Sequence, residues 1–187
     1  MSNKVEFGIS NLHIGLYTVS DQDVVTMGTP YHQKGAKNFS PDQDSNDSPY
    51  YADDMLWWNE FTDGAITGDL EVALFDDAFK TQFLGYRTLA DGGLAQVKNA
   101  VKPNVYIAFE IKGDKEKRRV IFYNCQLGTI TREYAGIEDK KEPISEKINV
   151  SVAGDNATGA TKAVYKKTDA GYSTLFTQPS APVFPES

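Results

Sequence analysis

From Val105 to Ile111 apolar and other residues alternate: Val105, Ile107, Phe109 and Ile111 share one side, with Tyr106, Ala108 and Glu110 between them. A period of two predicts a strand. Gly113 to Lys117 is a charged turn, and Arg119 to Leu127 returns as its hairpin partner. Thr129 to Tyr134 reads as another strand, and Gly136 to Pro143 as a charged loop. Further on, Ile148, Val150 and Val152 face one way, Gly154-Asp155-Asn156 turns the chain, and Thr161 to Lys166 pairs back. Near the start, Ile9 to Val19 is a strand with broken alternation, and Val24 to Met27 a shorter one punctuated by Gly28 and Pro30. Ala65 to Phe75 alternates with Leu70, Val72 and Leu74 inward. There is no internal repeat. Hairpins at regular spacing predict a mainly β, antiparallel β-sandwich or open barrel with one short α-helix.

The helix follows the 65–75 strand. Asp76 can cap its free amides, and Asp77 adds charge favourable to the same dipole end. Phe79 and Phe83, four apart, share one face, and Gly85 supplies a left-handed stop. A helix of about two turns depends on packing, so the two phenylalanines must hold it.

Residues 31–63 depart from this pattern. Residues 31–49 are polar and poor in apolar groups, and Tyr50, Tyr51, Trp57, Trp58 and Phe61 follow. This predicts a long loop or an extended hairpin projecting from the body, and loops of that length are commonly functional. Residues 36–63 have too few apolar groups to form part of one compact core, so a partner chain is expected to order part of the segment. Adjacent strand residues point to opposite faces, so one of Trp57 and Trp58 is expected in the core and the other exposed.

At 187 residues the chain suits one domain, read as 1–176 with the projecting arm at 31–63. A proline-rich tail covers 177–187, where Pro179, Pro182 and Pro185 match the polyproline spacing, either as a disordered end or as a peptide docking on a neighbour. The formal net charge is −7, which argues against nonspecific binding to nucleic acid or anionic membrane. The single cysteine, Cys125, sits at strand spacing and reads as a core residue. No signal-peptide or membrane-spanning apolar run occurs, so the chain reads as cytoplasmic when made.

Candidate chemistry is sparse. Asp42, Asp44 and Asn46 mimic the first half of a calcium loop, with Asp53 at the twelfth position. Asp47, however, stands where the turn glycine belongs, and an aspartate replaces the long final carboxylate. His13 and His32 have no zinc-like spacing. Glu110, Asp53 and Asp54 are a weak glycosidase-type carboxylate set. No metal, cofactor or catalytic residue is expected.

Two segments carry a resemblance. Ser48-Pro49-Tyr50-Tyr51-Ala52-Asp53-Asp54-Met55 is followed by the acidic strand from Asp69 and a short helix closing at Phe83-Leu84-Gly85. This order resembles the major tail-tube proteins of long-tailed, siphovirus-type bacteriophages, over roughly the middle half of the chain. The resemblance implies a non-enzymatic virion protein, made in the host cytoplasm, whose subunits form hexameric rings stacked into a tail tube. The tube would enclose a tape-measure protein, meet tail terminator and tail-tip proteins, and pass DNA without binding it specifically. The arm would contact neighbouring subunits, with Asp42, Asp44, Tyr50, Tyr51, Asp53, Asp54, Trp57 and Trp58 as interface positions. The alternative is a carbohydrate-binding β-sandwich module using Trp57 or Trp58.

Overall fold

A computed structural model describes residues 8–134 and 144–185. The charged loop expected at 136–143 and the extreme N-terminus lie outside the described residues. The strands are β1 (Ile9–Val19), β2 (Val25–Met27), β3 (Tyr31–His32), β4 (Ala36–Ala52), β5 (Met55–Val72), β6 (Arg87–Thr88), β7 (Leu94–Ala95), β8 (Val105–Ile111), β9 (Arg119–Arg132), β10 (Glu146–Val152) and β11 (Lys162–Tyr165), with one α-helix, α1 (Asp77–Leu84).

Nine strands make one antiparallel sheet in the order β2-β1-β8-β9-β10-β5-β4, with β3 on β1 and β11 on β9; β6 and β7 pair separately. The sheet curls on itself. Its far strand β4 meets β1, and Phe39 of β4 packs edge-on against Phe109 of β8 and Phe122 of β9, at 5.9 and 5.2 Å between ring centroids. Of the two architectures the alternation allowed, the chain is therefore the open barrel.

The alternation on β8 sorts residues into two cores. Val105, Ile107 and Phe109 point into the barrel with Leu12, Ile14, Leu70, Val72, Ile148 and Val150. Tyr106 and Ala108 point outward, where Tyr17, Ile121, Tyr123 and Leu175 bury them in a second cluster. Leu175 belongs to the C-terminal segment, which enters through a 3-10 turn at Ala170–Tyr172 and lies across the outer face. Gly15 makes this face possible: a Cβ there would collide with the ring and hydroxyl of Tyr106, whose hydroxyl donates to the Gly28 carbonyl at 2.7 Å. Cys125 is fully buried in the inner core, and burial pushes its thiol pKa well up.

The structure corrects several expectations. The 119–127 and 129–134 segments form one 14-residue strand up to Arg132, with register shifts along it. Residues 161–166 do not pair back on β10. β10 and β11 run in the same direction along the same edge of β9, opposite 125–132 and 119–122 respectively. Residues 153–161 leave that edge and rejoin it. The Asp155 carboxylate closes the excursion by accepting from Tyr17 Oη (2.7 Å), Thr158 N (2.9 Å) and Thr158 Oγ1 (2.7 Å).

The strand expected over 65–75 ends at Val72, so Leu74 is exposed rather than inward, and Phe75 is buried. The break swings Phe75 onto Phe79, with stacked rings 4.8 Å apart. Phe79 and Phe83 are fully buried, 5.1 Å apart, and Gly85 is left-handed at φ 69°. Asp76 stands at the N-cap, but its carboxylate caps no amide; it accepts from the Tyr31 hydroxyl at 3.0 Å. Nearby, buried Glu146 accepts from the Phe75 amide (2.7 Å) and pairs with Lys80 (3.3 Å) and Arg132 (3.4 Å).

The tail is neither free nor extended away from the body over its first half. Pro179 is buried and Ala181 and Pro182 are half-buried, while Val183, Phe184 and Pro185 are exposed.

Candidate assembly interface

The polar 31–63 region is the hairpin of the two alternatives: β4 and β5 pair from Ala36↔Val72 to Ala52↔Met55. Over 66–72, β5 also pairs with β10, which ends at Val152↔Ile66. Beyond that point β4 and β5 continue as a two-stranded ribbon. Residues 44–52 of β4 and 55–65 of β5 carry it about 30 Å from the barrel at strand rise. The root is marked by a register shift between Gln43 and Ser45. Opposite it, a Cβ on Gly64 would lie 2.7 Å from the Asp44 carbonyl oxygen, so the missing side chain admits the bulge.

The tip is Asp53-Asp54, both left-handed at φ 51° and 60°. Two such residues between Ala52 and Met55 make the primed two-residue turn that matches strand twist, and aspartate tolerates αL. Tyr50 stands opposite Trp58, and Tyr51 opposite Leu56.

Trp57 is 68% and Trp58 52% exposed. The expected division into one core and one surface tryptophan is therefore wrong. Neither face of a lone two-stranded ribbon has a second layer to bury an indole, and the register shift between Tyr50 and Tyr51 leaves Trp57 without an opposite residue, which breaks the alternation there. Tyr50, Tyr51 and Met55 are exposed with them.

The charge of the chain is divided as unevenly as its burial. Residues 41–63 hold seven of the 26 acidic residues and none of the 19 lysines and arginines. The remainder holds 19 of each, so the formal −7 of the chain resides on residues 41–63, the ribbon and its root. Among the described residues, Asp42, Asp44, Asp47, Asp53, Asp54 and Asp63 make no ion pair. Asp42 lies at the barrel end opposite Thr67, Asp44 in the root bulge, and Asp53 and Asp54 at the tip. This stretch is strand rather than loop, which spreads the carboxylates along the ribbon instead of around one point. Among the described residues no group of three or more His, Cys, Asp or Glu is placed to hold a metal ion.

The carboxylates considered for glycoside chemistry lie apart. Asp53 and Asp54 are at the tip, and Glu110 is in β8, 3.6 Å from Arg119. Asp76, Phe79, Phe83 and Gly85 belong to the other end of β5 and serve the barrel. The sequence also left unread a stack in the body: His13 lies against His32 (4.7 Å) and Phe176 (4.4 Å), and Arg119 covers Phe176 and Tyr172 at about 4 Å. No spacing rule brings these residues together, because they come from four separate segments. Among the described residues no helix is long and apolar enough to cross a membrane.

No family model matches the chain, and no curated protein matches it. Among solved structures it is similar to a chain of the tube-terminating cap of the anti-feeding prophage, at 13% identity and a TM-score of 0.47, covering 89% of this chain and 96% of that one. It is also similar to a chain of the PVC sheath–tube complex, an extracellular contractile injection system in its extended state, at 12% identity and a TM-score of 0.44, covering 87% and 94%. At such identities and scores neither likeness assigns a function.

Proposed function

We propose that the chain is a structural subunit of a tail tube, without enzymatic activity. It would self-associate into hexameric rings that stack into the conduit for DNA. The observation that carries this reading is the ribbon of β4 and β5, whose described aromatic side chains lie in water. Large exposed apolar groups gathered on one projection mark a contact surface, and tyrosine and tryptophan are the anchors such surfaces use. In this reading Tyr50, Tyr51, Trp57 and Trp58, with Asp42, Asp44, Asp53 and Asp54, form the subunit interface. The lumen would hold a tape-measure protein, the tube ends would meet terminator and tail-tip proteins, and the working location would be the virion tail. The resemblance of the 48–55 and 69–85 segments to siphovirus tail-tube proteins supports the same reading.

Exposure of both indoles also favours a second reading, stacking on sugar rings by a monomeric binding module. No resemblance in the sequence accompanies this reading, which makes it the weaker fit. Negative-stain microscopy of the purified chain across a concentration series decides between them. Rings or tubes are expected. A strictly monomeric chain that binds glycans would replace the tube reading.

A further inference from the structure

The ribbon is an acidic strand pair without cations, and the body contains a cationic strand edge without a partner strand. Among the described residues β11 pairs with β9 alone, so its other edge carries no strand there. Lys162 lies on it, Lys166 and Lys167 follow at once, and all three are exposed. None of the three is in an ion pair among the described residues. The Gly113–Lys117 turn is adjacent, since β11 ends opposite Arg119 (Tyr165↔Arg119) and the Tyr172 hydroxyl donates to the Lys117 carbonyl at 2.8 Å. It adds Lys115 and Lys117, both exposed. Three negative charges lie in this region: Asp114 binds Arg118 at 2.6 Å, Asp169 accepts from the Lys166 amide at 2.8 Å, and exposed Glu116 stands between Lys115 and Lys117, so the lysines still outnumber the acids. Val164, 46% exposed, gives the edge an apolar centre.

Lysines on an edge strand ordinarily deter indiscriminate strand pairing. They deter an acidic strand least. We infer that the β4–β5 ribbon of one copy docks along the β11 edge of a second copy, its aspartates facing Lys162, Lys166 and Lys167 and its aromatics covering Val164. The occupant is fixed by charge: the ribbon with its root, residues 41–63, holds the whole net charge of the chain, and the β11 edge is an unpaired strand bordered by lysines. Because every copy has one ribbon and one β11 edge on different parts of its surface, the contact is head-to-tail, the type that closes rings. This inference rests on the tube-subunit reading and adds the receiving surface.

Charge reversal with rescue tests it on the full chain. K162E/K166E/K167E is one variant and D42K/D44K/D47K a second; a third chain carries all six changes. Assembly is followed by sedimentation velocity and microscopy, and folding by circular dichroism. Each triple variant is expected to remain folded and to need at least about tenfold more protein to assemble, the scale of losing interfacial charge pairs. The combined chain is expected to recover most of that loss. Should a reversal not fold, the corresponding Lys→Gln or Asp→Asn set is read in its place. Wild-type chains that assemble alongside a lysine variant that assembles equally well overturn the inference and leave the tube reading standing. So does a combined chain that shows no recovery. A wild-type chain that never assembles overturns the tube reading and the inference together.

Discussion

The barrel and the ribbon are built from the same two strands, yet they obey different rules. In the barrel, β5 has neighbours on both edges, and Leu70 and Val72 are fully buried. A few residues earlier, β5 has β4 alone, and Trp57 and Trp58 stand in solvent. Outside residues 41–63 the sequence carries balanced charge, while 41–63 carries a surplus of seven negative charges. The barrel buries its own apolar side chains in two clusters, so its stability is a property of one chain. The ribbon satisfies only its backbone. Its described large side chains have no core of their own chain to join.

The sharpest way to break this contrast is to damage the barrel. Phe79 is fully buried, stacked on Phe75 and packed near Phe83 and Tyr31. Phe79→Ala should cost about 3–5 kcal/mol, the range for truncating a buried aromatic. A chemical denaturation curve reads this directly; a loss below 1 kcal/mol would mean that α1 is not part of the cooperative unit.

The next effect belongs to the loop that leaves and rejoins the β9 edge. Asp155→Ala removes the acceptor of the Tyr17 hydroxyl and of Thr158, and should cost about 1.5–3 kcal/mol, as lost hydrogen bonds to a buried charge do. Burial alone would raise the Asp155 pKa, but hydrogen bonds from Tyr17 and Thr158 outweigh it and hold the carboxyl below its ordinary value. The same contact and burial push the Tyr17 phenol up to about 12. A depressed carboxyl pKa stabilises the fold above the unfolded value, about 3.9, and that contribution is lost as pH falls through the folded one. Acid titration of wild type and Asp155→Ala should therefore converge at low pH. Curves that stay parallel would show that the carboxylate is not ionised in the fold.

How far each region could be read from the sequence follows from the same contrast. Alternation reports burial, so it is visible where one face of a strand is inside. That made β1, β8, β10 and the barrel half of β5 legible, together with the helix between Asp76 and Gly85. The ribbon has no inside. Its two strands leave no periodic trace, which is why 31–63 read equally as loop or hairpin and why one tryptophan was assigned to a core. The outer cluster was illegible for another reason: Leu175 and Phe176 cover Tyr106 and Tyr123 from more than fifty residues away, and nothing local announces the cover. The path of 153–161 was hidden too, because a turn signal does not say whether the chain reverses or resumes.

A smaller effect is expected at the stack that fastens this cover. Burial lowers the His13 pKa, the Asn11 carbonyl bond opposes it, and the nearby His32 and Arg119 charges lower it further. Glu110, paired with Arg119, is the neighbouring carboxylate. A histidine pKa depressed in the fold leaves the unfolded chain binding more protons. Its contribution is intact above the unfolded pKa, about 6.5, and is lost as pH falls below it. Wild type should lose melting temperature between pH 7.5 and 5.5 by more than His13→Gln does. Equal losses would free the stack of any part in acid sensitivity.

The smallest effect on stability should fall where the largest effect on assembly does. Each of Trp57→Ala and Trp58→Ala removes a side chain that is mostly in water, so each should shift unfolding by no more than about 0.5 kcal/mol. Closing the hairpin shorter, by removing 47–50 with 57–60 and keeping the Asp53-Asp54 turn, deletes paired residues that no third strand touches. That chain should melt within a few degrees of wild type, since it gives up no barrel contact. In microscopy, however, it should form no rings or tubes, because the anchors Tyr50, Trp57 and Trp58 are gone. A marked fall in melting temperature would place the ribbon inside the folding unit and end the division drawn between the two regions. Normal tubes from the shortened chain would leave the division intact but take the ribbon out of the interface, and self-association would then have to run through the barrel.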